Sequence, residues 1–294
     1  MGSTPESDQS LVAKAQAGDM DALDALVRRH QSWVFNLALR MVWRRDVAED
    51  AMQEILIRAV TKLSTFAGNS AFRTWLYRIA VNHLLNVRKS EMEEKKMAFT
   101  DMGVSLDGVQ DEDLPDERAL PVETKVFVEE AKLGCITAML MCLDRRQRLA
   151  FILGEVFGET SEVGAEAMGE SAANFRQLLS RARHDLYQFM NEKCGLVNQI
   201  NPCRCARKAN GFRRNGWLDA NNLQFSKDRI AAVKDVAFDR LDELQSLDRK
   251  HAEFYRMQPF LAGPDLAQKL RDVLLQSGFD TNKKSLRELS QSHF

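Results

Sequence analysis

The stretch from Phe66 to Lys89, FAGNSAFRTWLYRIAVNHLLNVRK, decides how the rest of the chain is read. Ala67-Gly68-Asn69-Ser70 has the composition of a turn, and Asn69 or Ser70 can act as N-cap of a helix running toward Lys89. On a helical wheel Phe72, Leu76, Ile79, Ala80 and Val87 share one side, while Thr74, Arg78, Asn82, Asn86 and Lys89 gather on the other. One face can dock on a core, and the other offers cationic and amide groups at intervals near one helical turn. Such side chains suit phosphates and base edges. Phe66, in the loop just ahead, is an aromatic on which an unpaired base can stack. Taken on spacing alone, the polar face equally fits the solvated side of an ordinary amphipathic helix.

Upstream, Leu11, Val12 and Ala15 begin a short helix that Gly18 can end, after a polar N-terminus expected to be disordered over 1–9. A longer helix follows from Asp21 to Met41, with Leu23, Leu26, Val27, Val34, Leu37 and Met41 on one side. Asp46 is placed to cap the next helix, with Glu49 three residues on as in a capping box. Val47, Ala51, Ile55, Ala59 and Leu63 form its apolar stripe, and Glu49, Asp50, Gln53, Glu54 and Arg58 its polar side. Trp33 and Trp75 read as core anchors, and His83 as a core histidine with no metal or catalytic partner.

Downstream, periodicity stops between Glu91 and Glu123, where Gly103, Gly108, Pro115 and Pro121 interrupt an acidic run. That composition predicts a linker. A second helical unit covers 123–192. Val126, Val128, Ile136, Met139, Leu140 and Leu143 supply its apolar pattern, with Cys135 and Cys142 as packed small hydrophobes. It closes on a helix-turn-helix pattern: Ser161 to Met168, the turn Gly169-Glu170-Ser171, and a second helix from Ala172 to Met190. Arg176, Gln177, Ser180, Arg181 and Arg183 project from that helix and Ser171 can cap it, while Phe175, Leu178, Leu179, Ala182 and Leu186 pack inward.

The 294 residues predict two or three small domains in an all-α fold. No apolar run approaches a membrane span, no secretory signal opens the chain, and five cysteines without an export signal point to a reduced cytoplasm. A net charge of −1 is unusual for a protein that binds DNA unaided. No phosphate-binding glycine loop, His-rich metal site or nucleophile–base pair is recognisable, so an enzyme ranks last.

The motif F-x-G-x-S-x-F-x-T-W-L-Y-R-I-A-x-N, Phe66 to Asn82, resembles the minus-ten segment of the extracytoplasmic-function (group four) sigma factors of bacterial RNA polymerase. The resemblance implies minus-ten contacts for Phe66, Asn69, Ser70, Arg78, Asn82 and Lys89. D-x-x-E-D-x-x-Q-E resembles that family's grip on the clamp helices of the largest polymerase subunit, which implies polymerase contacts for Asp46, Glu49, Asp50, Gln53 and Glu54, with apolar help from Met52 and Leu56. F-R-Q-x-L-S-R-A-R is similar to the minus-thirty-five helix, implying DNA contacts for Ser171, Arg176, Gln177, Ser180, Arg181 and Arg183. Gly164 departs from the family, which carries an apolar residue there; a glycine inside a helix costs about 1 kcal/mol relative to alanine.

The resemblance implies sigma domain two over 10–95, an acidic linker over 96–122 that threads the polymerase cleft, and sigma domain four over 123–192. The partners implied are core polymerase (clamp helices and flap), promoter DNA and an anti-sigma protein, with no cofactor required and no membrane. A stand-alone helix-turn-helix regulator is the alternative. It explains the second unit and leaves Phe66–Lys89 unexplained.

Beyond lie a Cys/Arg-rich connector, 193–217, and a helical regulatory extension, 218–294. Cys194, Cys203 and Cys205 can bind zinc or another thiophilic metal, with His184 or another residue as fourth ligand. They can equally form a redox switch among the neighbouring cations, or simply pack. A long helix is predicted from Ser226 through Leu247 to Phe254, and another after Gly263-Pro264-Asp265 with Leu266, Leu270, Val273 and Leu274, ended by Gly278. These two helices are expected to pack on each other and then on the sigma domains, modulating promoter binding.

Overall fold

A computed structural model describes residues 6–89, 91–94, 97–112, 122–219, 223–224, 246–258 and 260–276. Among them the regular structure is helical, apart from an isolated bridge between Cys194 and Cys203. Four helices form the first unit: α1 (Asp8–Gln16), α2 (Met20–Val42), α3 (Arg45–Lys62) and α4 (Phe72–Asn86). Ser7 caps α1 by accepting the Ser10 N–H at 3.2 Å, so the end of the tail expected to be disordered is helical. Asp8 anchors it, meeting Arg29 at 2.6 Å and His30 at 3.0 Å.

The second unit follows α5 (Glu91–Glu94) and α6 (Phe99–Gly108). It comprises α7 (Val122–Met141), α8 (Arg145–Phe151) continuing into a π-helical turn (Ile152–Val156), α9 (Ser161–Met168) and α10 (Ala172–Lys193). The linker expectation is corrected by α6. Met102, Leu106 and Val109 recur at helical spacing and are buried, and the Phe99 ring lies 5.2 Å from that of Phe189 on α10. The run 113–121, with Pro115 and Pro121, lies outside the described residues.

The extension contributes α11 (Cys205–Arg214), α12 (Leu247–Arg256) and α13 (Ala267–Gln276). Most of the helix expected from Ser226, and Gly278, lie outside the described residues. Leu247 is not in its interior: Ser246 is extended and caps α12 by accepting the Arg249 N–H, leaving Leu247 exposed. Nor do the two last helices pack chiefly on each other. α12 lies on the π-turn and α10, whereas α13 lies on α2.

α2 is the axis of the molecule. Every residue from Trp33 to Val42 is buried, including Asn36 and Arg40, which a two-sided pattern would leave in water. Residues of the extension bond to both, while the Arg40 Nε stays buried without a partner among the described residues. Asn36 donates to the Leu261 carbonyl at 2.7 Å and accepts the Leu261 N–H at 3.0 Å, and Arg40 donates to the Gln258 carbonyl at 3.3 Å. Burial lowers the Arg40 pKa to about 10.

The two units are clasped by α8. Arg148, 1% exposed, donates to the carbonyls of Met41 on α2 and of Leu140, Met141 and Leu143 at the end of α7, and meets Glu93 at 2.9 Å. Arg145 donates to the carbonyls of Leu84, Leu85 and Val87 at the end of α4 and pairs with the same Glu93. Two guanidinium groups thus satisfy the orphan carbonyls of three helix C-termini, where positive charge is favourable. Replacing Arg148 by Leu strands these acceptors and the Glu93 carboxylate. The expected loss is about 3–5 kcal/mol of unfolding free energy, measured by denaturant titration.

Candidate nucleic-acid interface

The loop before α4 is tied down from α1, where the Gln16 amide donates to the Leu63 carbonyl at 2.8 Å and the Phe66 carbonyl at 3.0 Å. Gly68 takes φ +74°, a turn conformation that favours glycine. Phe66 is half-buried, its ring 5.7 Å from Phe72 and 5.3 Å from Trp75, so it belongs to an aromatic cluster at the head of α4. Asn69 is exposed and Ser70 half-buried, but neither caps the helix. Ala71 holds the N-cap position without a side-chain bond.

Along α4, Arg78 and Asn82 are exposed one turn apart, and Asn86 donates to the Asn82 carbonyl at 2.7 Å. Thr74 departs from the expected polar face and is buried. α4 stops at Asn86, so Lys89 lies exposed beyond the helix, not on it. The candidate minus-ten groups therefore spread from the loop to past the far end of a helix roughly 22 Å long. Arg78 and Asn82 are the pair that one helix face brings together.

On α3, the expected cap is corrected: Arg44 holds the N-cap position, and Asp46 lies in the first turn paired with Arg44. The hydrogen bonds from Arg44 hold the Asp46 carboxyl below its usual range. Glu49 pairs with Arg45 at 2.9 Å and Glu54 with Arg58 at 2.8 Å, each one helical turn apart, while Asp50 and Gln53 are exposed between them. Surface pairs of this kind contribute little to stability and can be exchanged for a partner's charges. Met52 and Leu56 are buried within the protein and are not available to a partner. Gly263 of the extension lies over Met52, where a Cβ would come within 3.0 Å of the sulfur.

The helix-turn-helix is built as its sequence implies. Thr160 caps α9, Gly169 ends it at φ +65°, and Ser171 caps α10 by accepting the Asn174 N–H at 3.1 Å. Arg176, Gln177, Ser180 and Arg181 are exposed, and their spacing puts them on one face. Arg183 belongs elsewhere: its Nε meets the buried Glu155 carboxylate at 2.5 Å, which Arg256 of α12 also reaches at 2.5 Å.

Gly164 proves to be a contact. A Cβ there would fall 2.3 Å from the Phe175 ring, so the volume an apolar residue would occupy in α9 is supplied by Phe175 from α10. Sequence reasoning also missed what joins the two units. Tyr77 donates to Glu159 at 2.7 Å, Arg73 pairs with Glu159 at 3.2 Å, and α4 packs against α9. Adjacent residues gave no signal of these pairings.

The connector holds three free thiols, Cys194, Cys203 and Cys205, all half-buried. His184 is exposed and lies ten residues before Cys194, about 15 Å along α10, so it does not complete a cysteine site. Among the described residues no three His, Cys, Asp or Glu side chains stand in metal-ligating geometry.

Two small helical units in tandem, the second a helix-turn-helix, define a class of promoter-recognition protein, and comparison with known sequences agrees. The Sigma-70 region 2 family matches residues 26–93 and the Sigma-70 region 4 family residues 133–186. The ECF RNA polymerase sigma-E factor of Haemophilus influenzae is 34% identical over 185 residues, spanning 60% of this chain and 92% of that protein. Its Escherichia coli counterpart is 33% identical over 181 residues, spanning 60% and 91%. The chain belongs to the extracytoplasmic-function sigma factors. It also matches the RNA polymerase sigma-H factor of Pseudomonas aeruginosa, 46% identical over 83 residues, spanning 43% of that protein. CnrH, in its complex with the cytosolic domain of CnrY, is similar with a TM-score of 0.45 and 20% identity, over 63% of this chain and 98% of that one.

Alanine ordinarily stabilises a helix relative to glycine by about 1 kcal/mol. Gly164→Ala is expected to do the reverse, lowering the thermal midpoint through overpacking of about 1–3 kcal/mol. Adding Phe175→Leu should recover part of that loss in the same melt.

Proposed function

We propose that this chain binds core RNA polymerase and directs it to promoters, reading the minus-thirty-five element with α10 and the minus-ten element with α4. The observation that carries this reading is the pair of exposed rows, Arg176, Gln177, Ser180 and Arg181 on one helix and Arg78 and Asn82 on the other, in a single member of the sigma family. Guanidinium and amide groups are the side chains suited to bidentate contacts with guanine and adenine. Ser171 sits at the N-terminus of α10, the end of a recognition helix that meets the groove.

On α4 the task differs. Phe66, Asn69 and Ser70 stand at its head, beside Trp75, where an extruded base can gain stacking that a paired base cannot. Opening then follows from differential binding, with no covalent chemistry. The Asp46–Glu54 face of α3 engages the polymerase, its charges setting register and encounter rate. Delivery by polymerase also accommodates a chain with net charge −1, because the enzyme and not this chain supplies most of the affinity for DNA. A stand-alone regulator would use α9 and α10 only and leave the α4 face without a task.

The extension tunes this activity by holding the two units together, since α12 grips Glu155 while Leu261 and Gln258 grip Asn36 and Arg40.

Purified core polymerase supplemented with this chain should initiate from a subset of a promoter library, and initiation from none would overturn the reading. Arg176→Ala is expected to cost about 1–3 kcal/mol with relaxed preference at one minus-thirty-five position. A uniform loss across promoters would mark a phosphate contact instead. Asn82→Ala should blunt minus-ten discrimination in the same assay while leaving co-elution with polymerase unchanged.

A further inference from the structure

Where the first unit, α6, α7 and the connector meet, they surround a cavity of about 940 Å³ that opens to solvent beside the exposed Arg44, Arg88 and Lys89. Its size lies at the upper end of clefts that take small molecules, about 300–1,000 Å³. The floor is one face of α7. Ala131, Gly134, Cys135 and Ala138 recur there at helical spacing, so no large side chain covers the helix over about 10 Å of its length. A Cβ at Gly134 would meet nothing within 4 Å among the described residues, so packing does not require a glycine at this position. A helix interior disfavours glycine as well. What the residue does is keep the floor bare.

The walls are apolar and adaptable. Met97, Met102 and Leu106 line the cavity from α6 and the residues before it, and Phe212, Trp217 and Leu218 from α11 and beyond. Unbranched methionines fit themselves to irregular apolar shapes. Trp43 lines the cavity where α2 ends, at φ +67°, a conformation that a bulky residue seldom takes. Strain of this kind collects at ligand clamps. Charge at the mouth is one-sided: among the described residues, Arg44, Arg88 and Lys89 line it with one carboxylate, Glu94. Arg44 is paired with Asp46, whereas Arg88 and Lys89 are exposed and make no ion pair among the described residues. Arg88 has no part in the interfaces assigned above.

We propose that this cavity binds a long-chain acyl anion, its chain laid along the α7 floor and its head group held at the mouth by Arg88 and Lys89. A straight floor of small side chains between methionine and tryptophan walls suits an extended methylene chain, and withdrawing that chain from water drives binding. The two unpaired cations select an anionic head over a neutral one, through charge-assisted hydrogen bonds. Carboxylate and phosphate heads share this chemistry. Val42 and Val47 belong to the first sigma unit and Ala131 and Gly134 to the second, so the bound chain touches both. It therefore stabilises the joined arrangement of the units relative to any in which they part.

The test is fluorescence titration of the full chain with dansyl-undecanoate, followed by displacement with laurate, dodecyl phosphate and dodecanol below their micelle concentrations. A single saturable site per chain is expected, emptied by laurate or dodecyl phosphate and poorly by dodecanol, the tighter of the two anions identifying the head group. Gly134→Leu should weaken binding by about tenfold or more through overfilling of the floor. Its thermal midpoint should hold or rise, because leucine is the better helix former. Should that variant lose helix content by circular dichroism, Ser105→Leu narrows the same cavity from α6 and is expected to weaken binding likewise. Arg88→Glu should weaken laurate several-fold and leave dodecanol unchanged. Laurate should raise the thermal midpoint of the unmodified chain but not of Gly134→Leu. A full chain that takes up none of the probes, because its own residues or a second copy fill the space, overturns the proposal. So does binding that neither leucine variant weakens, or equal affinity for laurate and dodecanol. Neither polymerase nor DNA enters these measurements, so their failure is distinct from failure of the promoter reading.

Discussion

The arrangement depends on where two arginines from one short helix find their partners. A helix C-terminus presents carbonyls with no partner of their own, and burying them in apolar surroundings is costly. In this molecule the ends of α2, α4 and α7 converge on α8, and Arg145 and Arg148 donate to all three, with Glu93 balancing the charge. Burial lowers the Arg148 pKa while the Glu93 charge acts to raise it. The first and second sigma units are thus joined by a polar knot at their common centre as well as by apolar contact.

The extension adds a second tie of the same kind. Asn36 and Arg40 lie in the C-terminal half of α2, and the backbone groups of Gln258 and Leu261 supply partners for them. On the other unit, Glu155 in the π-turn is held between Arg183 of α10 and Arg256 of α12. A segment that bonds to buried groups of both halves is part of their fold. The surfaces assigned to DNA remain accessible in this arrangement, since Arg78, Asn82, Arg176, Gln177, Ser180 and Arg181 all face solvent.

Gly164 and Phe175 illustrate how a departure from a family pattern is absorbed. An apolar side chain on α9 and a large aromatic on α10 compete for the same volume, and close packing admits one of them. The glycine carries a conformational cost, but it lets Phe175 reach full burial beneath the recognition face.

The sequence by itself determined whatever depends on neighbours along the chain. Helical periodicity placed α2, α9 and α10 close to their observed limits, whereas α4 stops at Asn86, short of Lys89. The Ser171 cap and the Gly169 turn followed from local chemistry, and the motifs from Phe66 to Asn82 and Phe175 to Arg183 marked the family. Caps at Asp46 and Ser70 were misplaced because several adjacent residues could offer an oxygen, and backbone geometry chose among them. Only the tertiary structure decided that Asn36 and Arg40 are buried and that Arg183 serves Glu155. Each of these facts joins residues many turns apart. No periodicity records such a meeting, because it depends on which surfaces come together to exclude water and on which buried polar group must then find a partner.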